Sequence, residues 1–131
     1  MKARREPVTA EAAPAAIGPY SQAVKAGGFL YCSGQIGIDP ATGELVSGGV
    51  AVECHQVMRN LAAVLTAAGL DWRDVVRTTI YLTRLEEFTL VNDAYGSYLS
   101  APHPARATVG VAALPKGACV EIDAVAQLRS I

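Results

Sequence analysis

Apolar and polar positions recur with two different periods along this chain, and the changes of period mark its elements. From Tyr20 to Lys25 and from Phe29 to Ser33, short β-prone runs flank Gly27-Gly28, which predicts two strands joined by a tight hairpin. Gly34-Gln35-Ile36-Gly37 leads into Asp39-Pro40-Ala41-Thr42-Gly43, where proline presets φ and glycine can take φ > 0, so a turn is predicted. Over residues 50–68 the period becomes helical. Cys54, Met58, Leu61, Leu65 and Ala68 form one stripe, joined by Val57 and Val64, while His55, Arg59 and Thr66 lie opposite. Gly69 suits the position after the helix end. The pattern makes Cys54 and Met58 core filler and His55 a solvated surface residue.

Val75 to Thr83 alternates and is rich in β-branched residues, which predicts a strand. Thr83 followed by Glu86 fits a capping box, and a second helix is expected over about 84–100. Its stripe runs through Phe88, Val91, Tyr95 and Tyr98 or Leu99, with Asn92 at the border. An amide there could serve a neighbouring loop or a ligand equally well. Pro102 and Pro104 stop the helix. Residues 105–112 and 119–128 read as a last pair of strands, and the Leu114-Pro115-Lys116-Gly117 turn predicts that they form an antiparallel hairpin. The order β-β-α-β-α-β-β gives an α+β class, a mixed sheet with both helices on one face. A single domain is expected over 1–131, with residues 1–13 a flexible arm that gains order near Pro14 or Pro19.

Composition sharpens this. Hydrophobic residues make up 51% and charged residues 18%, apolar enough that the sheet's other face is expected to be covered by oligomerisation. Net charge is −1 and the pI about 6.1, so there is no global electrostatic case for nucleic acid or an anionic membrane surface. The cluster Lys2-Ala3-Arg4-Arg5 is local and reads as a solvated terminus. No run is long enough to span a membrane, and the charged N-terminus lacks the apolar stretch of a signal peptide. Cys32, Cys54 and Cys119 are an odd number with no C-x-x-C, which reads as reduced thiols in a cytosol-like compartment. With only His55 and His103, no zinc-ligand spacing exists, and no phosphate loop or dinucleotide fingerprint occurs.

Two charges stand out. Arg106, in Pro104-Ala105-Arg106-Ala107-Thr108-Val109, and Glu121, in Val120-Glu121-Ile122-Asp123-Ala124, are flanked by small and apolar residues, where a charge needs a partner or a ligand. Arginine's planar fork fits a carboxylate, and a glutamate nearby could hold or activate a water. A structural Arg–Glu ion pair accounts for the same pattern, and whether the two share a face depends on a strand register that sequence leaves open. Thr108 shares a strand face with Arg106. Tyr20, after Gly18-Pro19, reads as a pocket wall or a packing residue. Ser33 lies beside Gly34, which permits close backbone approach, but no histidine with an acidic partner is placed to activate it.

Taken together, Ala16-Ile17-Gly18-Pro19-Tyr20-Ser21-Gln22-Ala23, Ser33-Gly34-Gln35-Ile36-Gly37, Asp39-Pro40 with Gly43, and the run from Pro104-Ala105-Arg106 through Leu114-Pro115-Lys116-Gly117 to Ala126 resemble the reactive intermediate deaminase A family, also called the YjgF family. The resemblance extends from about Ala13 to Ala126, with several motifs in order and spacing. It implies a fold similar to the trimeric type of chorismate mutase and a homotrimer with ligand sites in clefts between subunits. It implies hydrolysis of 2-iminobutanoate and 2-iminopropanoate, which derive from the reactive enamines that pyridoxal-phosphate dehydratases release, to 2-oxo acids and ammonia. No metal or organic cofactor is implied. Carried over, Arg106 clamps the substrate carboxylate, Glu121 positions or activates water, and Tyr20, Ser33 and Asn92 line the pocket. Thr108 stands where some members have a cysteine whose backbone helps bind the ligand, and His103 where an aromatic residue is common; the segment before it is shorter than in some relatives. The alternative is a non-catalytic trimeric binding module or sensor for small 2-oxo acids.

Overall fold

The computed structural model describes residues 4–129. Its strands are β1 Glu6–Val8, β2 Ala23–Ala26, β3 Phe29–Ile36, β4 Ile38–Asp39, β5 Glu44–Leu45, β6 Val75–Leu82, β7 Ala105–Gly110 and β8 Val120–Gln127, and its helices are α1 Val50–Ala67 and α2 Phe88–Gly96. Six strands form one mixed sheet in the order β1-β2-β3-β8-β6-β7, while β4 and β5 make a separate two-stranded ribbon. Both helices cover the same face of the six-stranded sheet. Helix α1 packs on β3 and β8, and α2 packs on α1 and reaches β6 through a 2.7 Å hydrogen bond between Tyr95 and Thr78.

The helical stripe of α1 is the core. Cys54, Val57, Met58, Leu61, Val64 and Leu65 are all completely buried, facing Leu30 of β3, Ile80 and Leu82 of β6, and Val120 and Ile122 of β8. Each such side chain removed from water contributes about 1.5–3 kcal/mol. Two polar residues of α1 are buried beside this stripe, Glu53, which accepts from the Cys119 backbone N–H at 2.8 Å, and Asn60. Asn60 donates to the carbonyls of Ile36 and Ile38, tying α1 to the bend where the main sheet gives way to the β4–β5 ribbon.

The strand pairing departs from expectation at the C-terminal end. β7 and β8 do not form a hairpin: β7 pairs in parallel with β6, and β8 inserts between β3 and β6, antiparallel to both. Parallel pairing requires a crossover, which α2 supplies between β6 and β7. The burial pattern gives the reason. Val120, Ile122, Ala124 and Ala126 are all buried, which requires a central strand, whereas β7 carries few bulky apolar residues and takes the edge.

Three local expectations are also corrected. The N-terminal segment is not a free arm from Glu6 onward: Glu6–Val8 pairs with β2, and Val8, Ala10 and Ala13 are buried. Thr83 does not cap a helix. Its backbone N–H donates to the Cys119 carbonyl at 3.2 Å, which keeps it at the end of β6, and residues 85–87 form a short 3-10 turn before a helix shorter than expected. His55 is half-buried, with Nδ1 3.0 Å from the Tyr98 hydroxyl.

Candidate functional site

Strand alternation settles where the two prominent charges sit. Glu121 lies between Val120 and Ile122, both buried under the helices, so its side chain projects from the opposite, open face of the sheet. Arg106 is the register partner of Thr78, which is fully buried against α2, so Arg106 projects from the helix face. β6 lies between their strands. The two charges therefore stand on opposite faces of one sheet, and they form no ion pair with each other.

On the open face, the Glu121 side chain rests on Gly34. A Cβ at residue 34 would lie 2.9 Å from the Glu121 carboxyl carbon and closer still to one oxygen, so any larger residue would displace the carboxylate. Glu121 forms one wall of a cavity of about 320 Å³ that Ile17, Tyr20, Gly34, Ile36 and Lys116 also line. The far wall is held by Gln22, which is buried and accepts from the backbone N–H of Ala10 at 2.6 Å while donating to the carbonyls of Ala10 and Pro14. Ser33, at the irregularity in the β3–β8 register, donates its hydroxyl proton to the Ser21 carbonyl at 2.6 Å. That bond straps the Tyr20 segment onto β3. Lys116 completes the rim with φ +59°, a left-handed conformation that a lysine adopts at some strain.

Burial raises the Glu121 pKa above the ordinary glutamate value, and the negative charge of Asp123, two residues along the same face, raises it further. Asp123 accepts a 3.0 Å hydrogen bond from Tyr81, which lies directly opposite Glu121 on β6. A carboxylate with increased proton affinity is a better base toward water near neutral pH.

On the helix face, Arg106 is exposed and donates to the Asn92 side-chain oxygen at 2.7 Å. Its guanidinium carbon lies 5.4 Å from the centre of the Phe88 ring and 5.3 Å from that of Tyr95. Among the described residues no carboxylate comes within ion-pair distance of it. Two residues along the strand, the Thr108 hydroxyl is buried with no hydrogen-bond partner among the described residues. Buried hydroxyls are normally satisfied, so an orphan next to an unpaired arginine points to a ligand or water position. His103, Pro104, Tyr95 and Arg106 line a cleft of about 350 Å³ there.

The six residues singled out by sequence thus fall into two groups, Tyr20, Ser33 and Glu121 on one side and Asn92, Arg106 and Thr108 on the other. Pattern reading missed Gln22 as the anchor of a cavity wall and Phe88 and Tyr95 as the rings beside Arg106. A glutamine followed by the apolar Ala23-Val24 was the available signal for Gln22, whereas the two rings match the pattern of an ordinary core stripe. The cysteines are poor nucleophile candidates. Burial pushes the Cys32 and Cys54 thiols up to about 12, so both stay protonated near neutral pH. No group of three or more potential metal ligands clusters among the described residues, and no helix is long and apolar enough to cross a membrane.

Comparison with known proteins adds the lineage. A family model described as Endoribonuclease L-PSP matches residues 10–128. Protein DfrA of Myxococcus xanthus is 55% identical over 124 residues, covering 93% of this chain and 95% of that protein. The human 2-iminobutanoate/2-iminopropanoate deaminase is 51% identical over 122 residues, 93% of this chain and 89% of its own. The crystal structure of RidA from the Antarctic bacterium Psychrobacter sp. PAMC 21119 superimposes with a TM-score of 0.90 at 46% identity, covering 94% of this chain and 99% of that one. The chain belongs to this family, the reactive intermediate deaminase (YjgF) group that the L-PSP model describes.

Proposed function

We propose that this protein hydrolyses 2-imino acids such as 2-iminobutanoate and 2-iminopropanoate to 2-oxo acids and ammonia. The observation that carries the reading is the guanidinium of Arg106, held by Asn92 and two rings yet without a carboxylate of its own among the described residues. It offers a fork of donors to a small carboxylic acid, and a charge-assisted bond of this kind contributes about 1.5–3 kcal/mol. The 51% identity to a protein named 2-iminobutanoate/2-iminopropanoate deaminase supports the choice of acid.

Because Glu121 lies on the other face of the sheet, the two groups meet only if a second copy of the chain brings its own Arg106 to this Glu121. A homotrimer closed by three such head-to-tail contacts fits, with each site lined by Tyr20, Ser33 and Glu121 of one chain and Asn92, Arg106 and Thr108 of the next. The open sheet face supports this assembly: Tyr31 and Val109 on it are 47% and 40% exposed, large for apolar side chains.

The chemistry is then short. Arg106 forks the substrate carboxylate and fixes the protonated imine, whose carbon is already electrophilic. Glu121 takes a proton from water as the oxygen attacks that carbon, giving a carbinolamine. That proton passes to the nitrogen; Glu121, ionised again, then takes the carbinolamine hydroxyl proton as the C–N bond breaks and the carbonyl forms, and hands it to the departing ammonia, which leaves as ammonium. Positioning and one proton relay account for the catalysis. A sensor for 2-oxo acids needs the clamp but has no use for a glutamate with raised proton affinity, so the enzyme reading is preferred. We place the protein in the cytosol, a reading supported by three free cysteines, two of them buried.

The test is release of ammonia and 2-oxobutanoate from 2-iminobutanoate generated in situ. Acceleration over the spontaneous rate is expected, and a folded assembly that gives none would return the protein to the binding-module reading.

A further inference from the structure

Arg106 is on an edge strand, its side chain is long, and it has to meet a ligand in one orientation. A free arginine would lose most of its rotamer freedom on binding, and that loss would weaken the complex. The residues behind it remove much of that freedom in advance. Tyr95 is 3% exposed and commits its hydroxyl to Thr78 at 2.7 Å, so what it presents to Arg106 is its ring. Thr78 is itself fully buried and is the register partner of Arg106 on the neighbouring strand. The three residues close a loop: strand to strand through Thr78 and Arg106, strand to helix through the buried hydroxyl pair, and helix back to strand through the ring. A hydroxyl pair with no access to water is directional, so it fixes the angle at which the ring meets the guanidinium.

We propose that Tyr95, locked by Thr78, is a positioning residue that sets the orientation of Arg106 for a carboxylate, acting through the guanidinium. The inference rests on the carboxylate-clamp reading above. It accounts for a feature that packing alone does not require: a phenylalanine at 95 and a valine at 78 would fill the same space without a buried polar pair.

The experiment is titration of the assembled protein with 2-oxobutanoate, alongside steady-state kinetics and thermal unfolding, for Thr78→Val, Thr78→Ser, Tyr95→Phe and Tyr95→Leu. Loss of the ring in Tyr95→Leu is expected to weaken 2-oxobutanoate about tenfold. Thr78→Val and Tyr95→Phe are each expected to weaken it about threefold, with KM rising and kcat nearly unchanged. Thr78→Ser, which keeps the hydroxyl, is expected to retain wild-type affinity. In an Arg106→Ala background, Tyr95→Phe should lower the residual kcat/KM no further, because the effect travels through Arg106. Lower melting temperatures with wild-type affinity in Thr78→Val and Tyr95→Phe would reduce the pair to a packing device and overturn the inference alone. A wild-type protein that does not bind 2-oxobutanoate would overturn the clamp reading and this one with it.

Discussion

The two faces of the sheet solve opposite problems. Around Glu121 a carboxylate is half-buried on a central strand, pressed against a glycine and next to a second acid, and its environment makes it hold a proton longer. Around Arg106 a cation stands exposed on an edge strand, and its environment controls direction through an amide and two rings. On the proposed reading, one half of the site adjusts a proton affinity and the other an angle. A base needs desolvation to be effective, whereas a clamp that captures an anion from solution needs to stay accessible.

The largest effects should come from removing either half outright, and the two losses should differ in kind. Arg106→Ala is expected to lower kcat/KM about 10³-fold by abolishing carboxylate binding. Glu121→Gln is expected to keep 2-oxobutanoate affinity within a few-fold while kcat falls about 10²-fold. Equal losses of binding in both, seen by titration, would erase the distinction between the faces. Mixing and reassembling the two inactive variants tests the shared site directly. About a quarter of the sites should then combine an intact arginine with an intact glutamate and regain activity; no recovery would mean that the two groups do not share a site between copies.

A finer change acts on the open face alone. Gly34→Ala puts a methyl group where the Glu121 carboxylate rests, and a displacement of this size is expected to cost about tenfold to 10²-fold in kcat with little change in 2-oxobutanoate binding. Normal turnover in a folded Gly34→Ala protein would mean that the Glu121 position is not critical.

The smallest effect is on the pH profile. On the proposed mechanism Glu121 acts in its ionised form, so activity is expected to fall as pH drops through its pKa, and the raised pKa places that acidic limb above the ordinary glutamate value. Asp123→Asn removes the second cause of the shift and should move the limb to lower pH, without abolishing it because burial remains. The kcat/KM profile of the two proteins is the measurement, and an unmoved limb would assign it to another group.

Elements with a single strong period were legible in the chain itself. The stripe of α1 and the alternation of β8 translate directly into burial, because one face of each has one neighbour. The position of β7 was not legible. A turn between two adjacent strand-like runs suggests a local pairing, yet the sheet resolves competition between β6 and β7 for the centre by burial, and a parallel pairing leaves no mark at the turn. For the site, residue chemistry singled out Arg106 and Glu121, and alternation fixes which neighbours each strand face carries. Their opposition follows only from long-range pairing, because β6 separates the two strands. The Gln22 anchor was hidden for a related reason: its partners at Ala10 and Pro14 sit in a segment whose composition alone predicts an arm.

A sheet one layer thick that parts the arginine from the glutamate has a consequence for supply. On the proposed assembly, a chain newly released from the ribosome is folded but inert, and activity per chain rises with abundance until the trimer saturates. Dilution below the assembly threshold would switch the enzyme off with every residue intact. Deaminase activity would then rise more steeply than protein level, and a modest drop in expression would be felt as a larger drop in turnover.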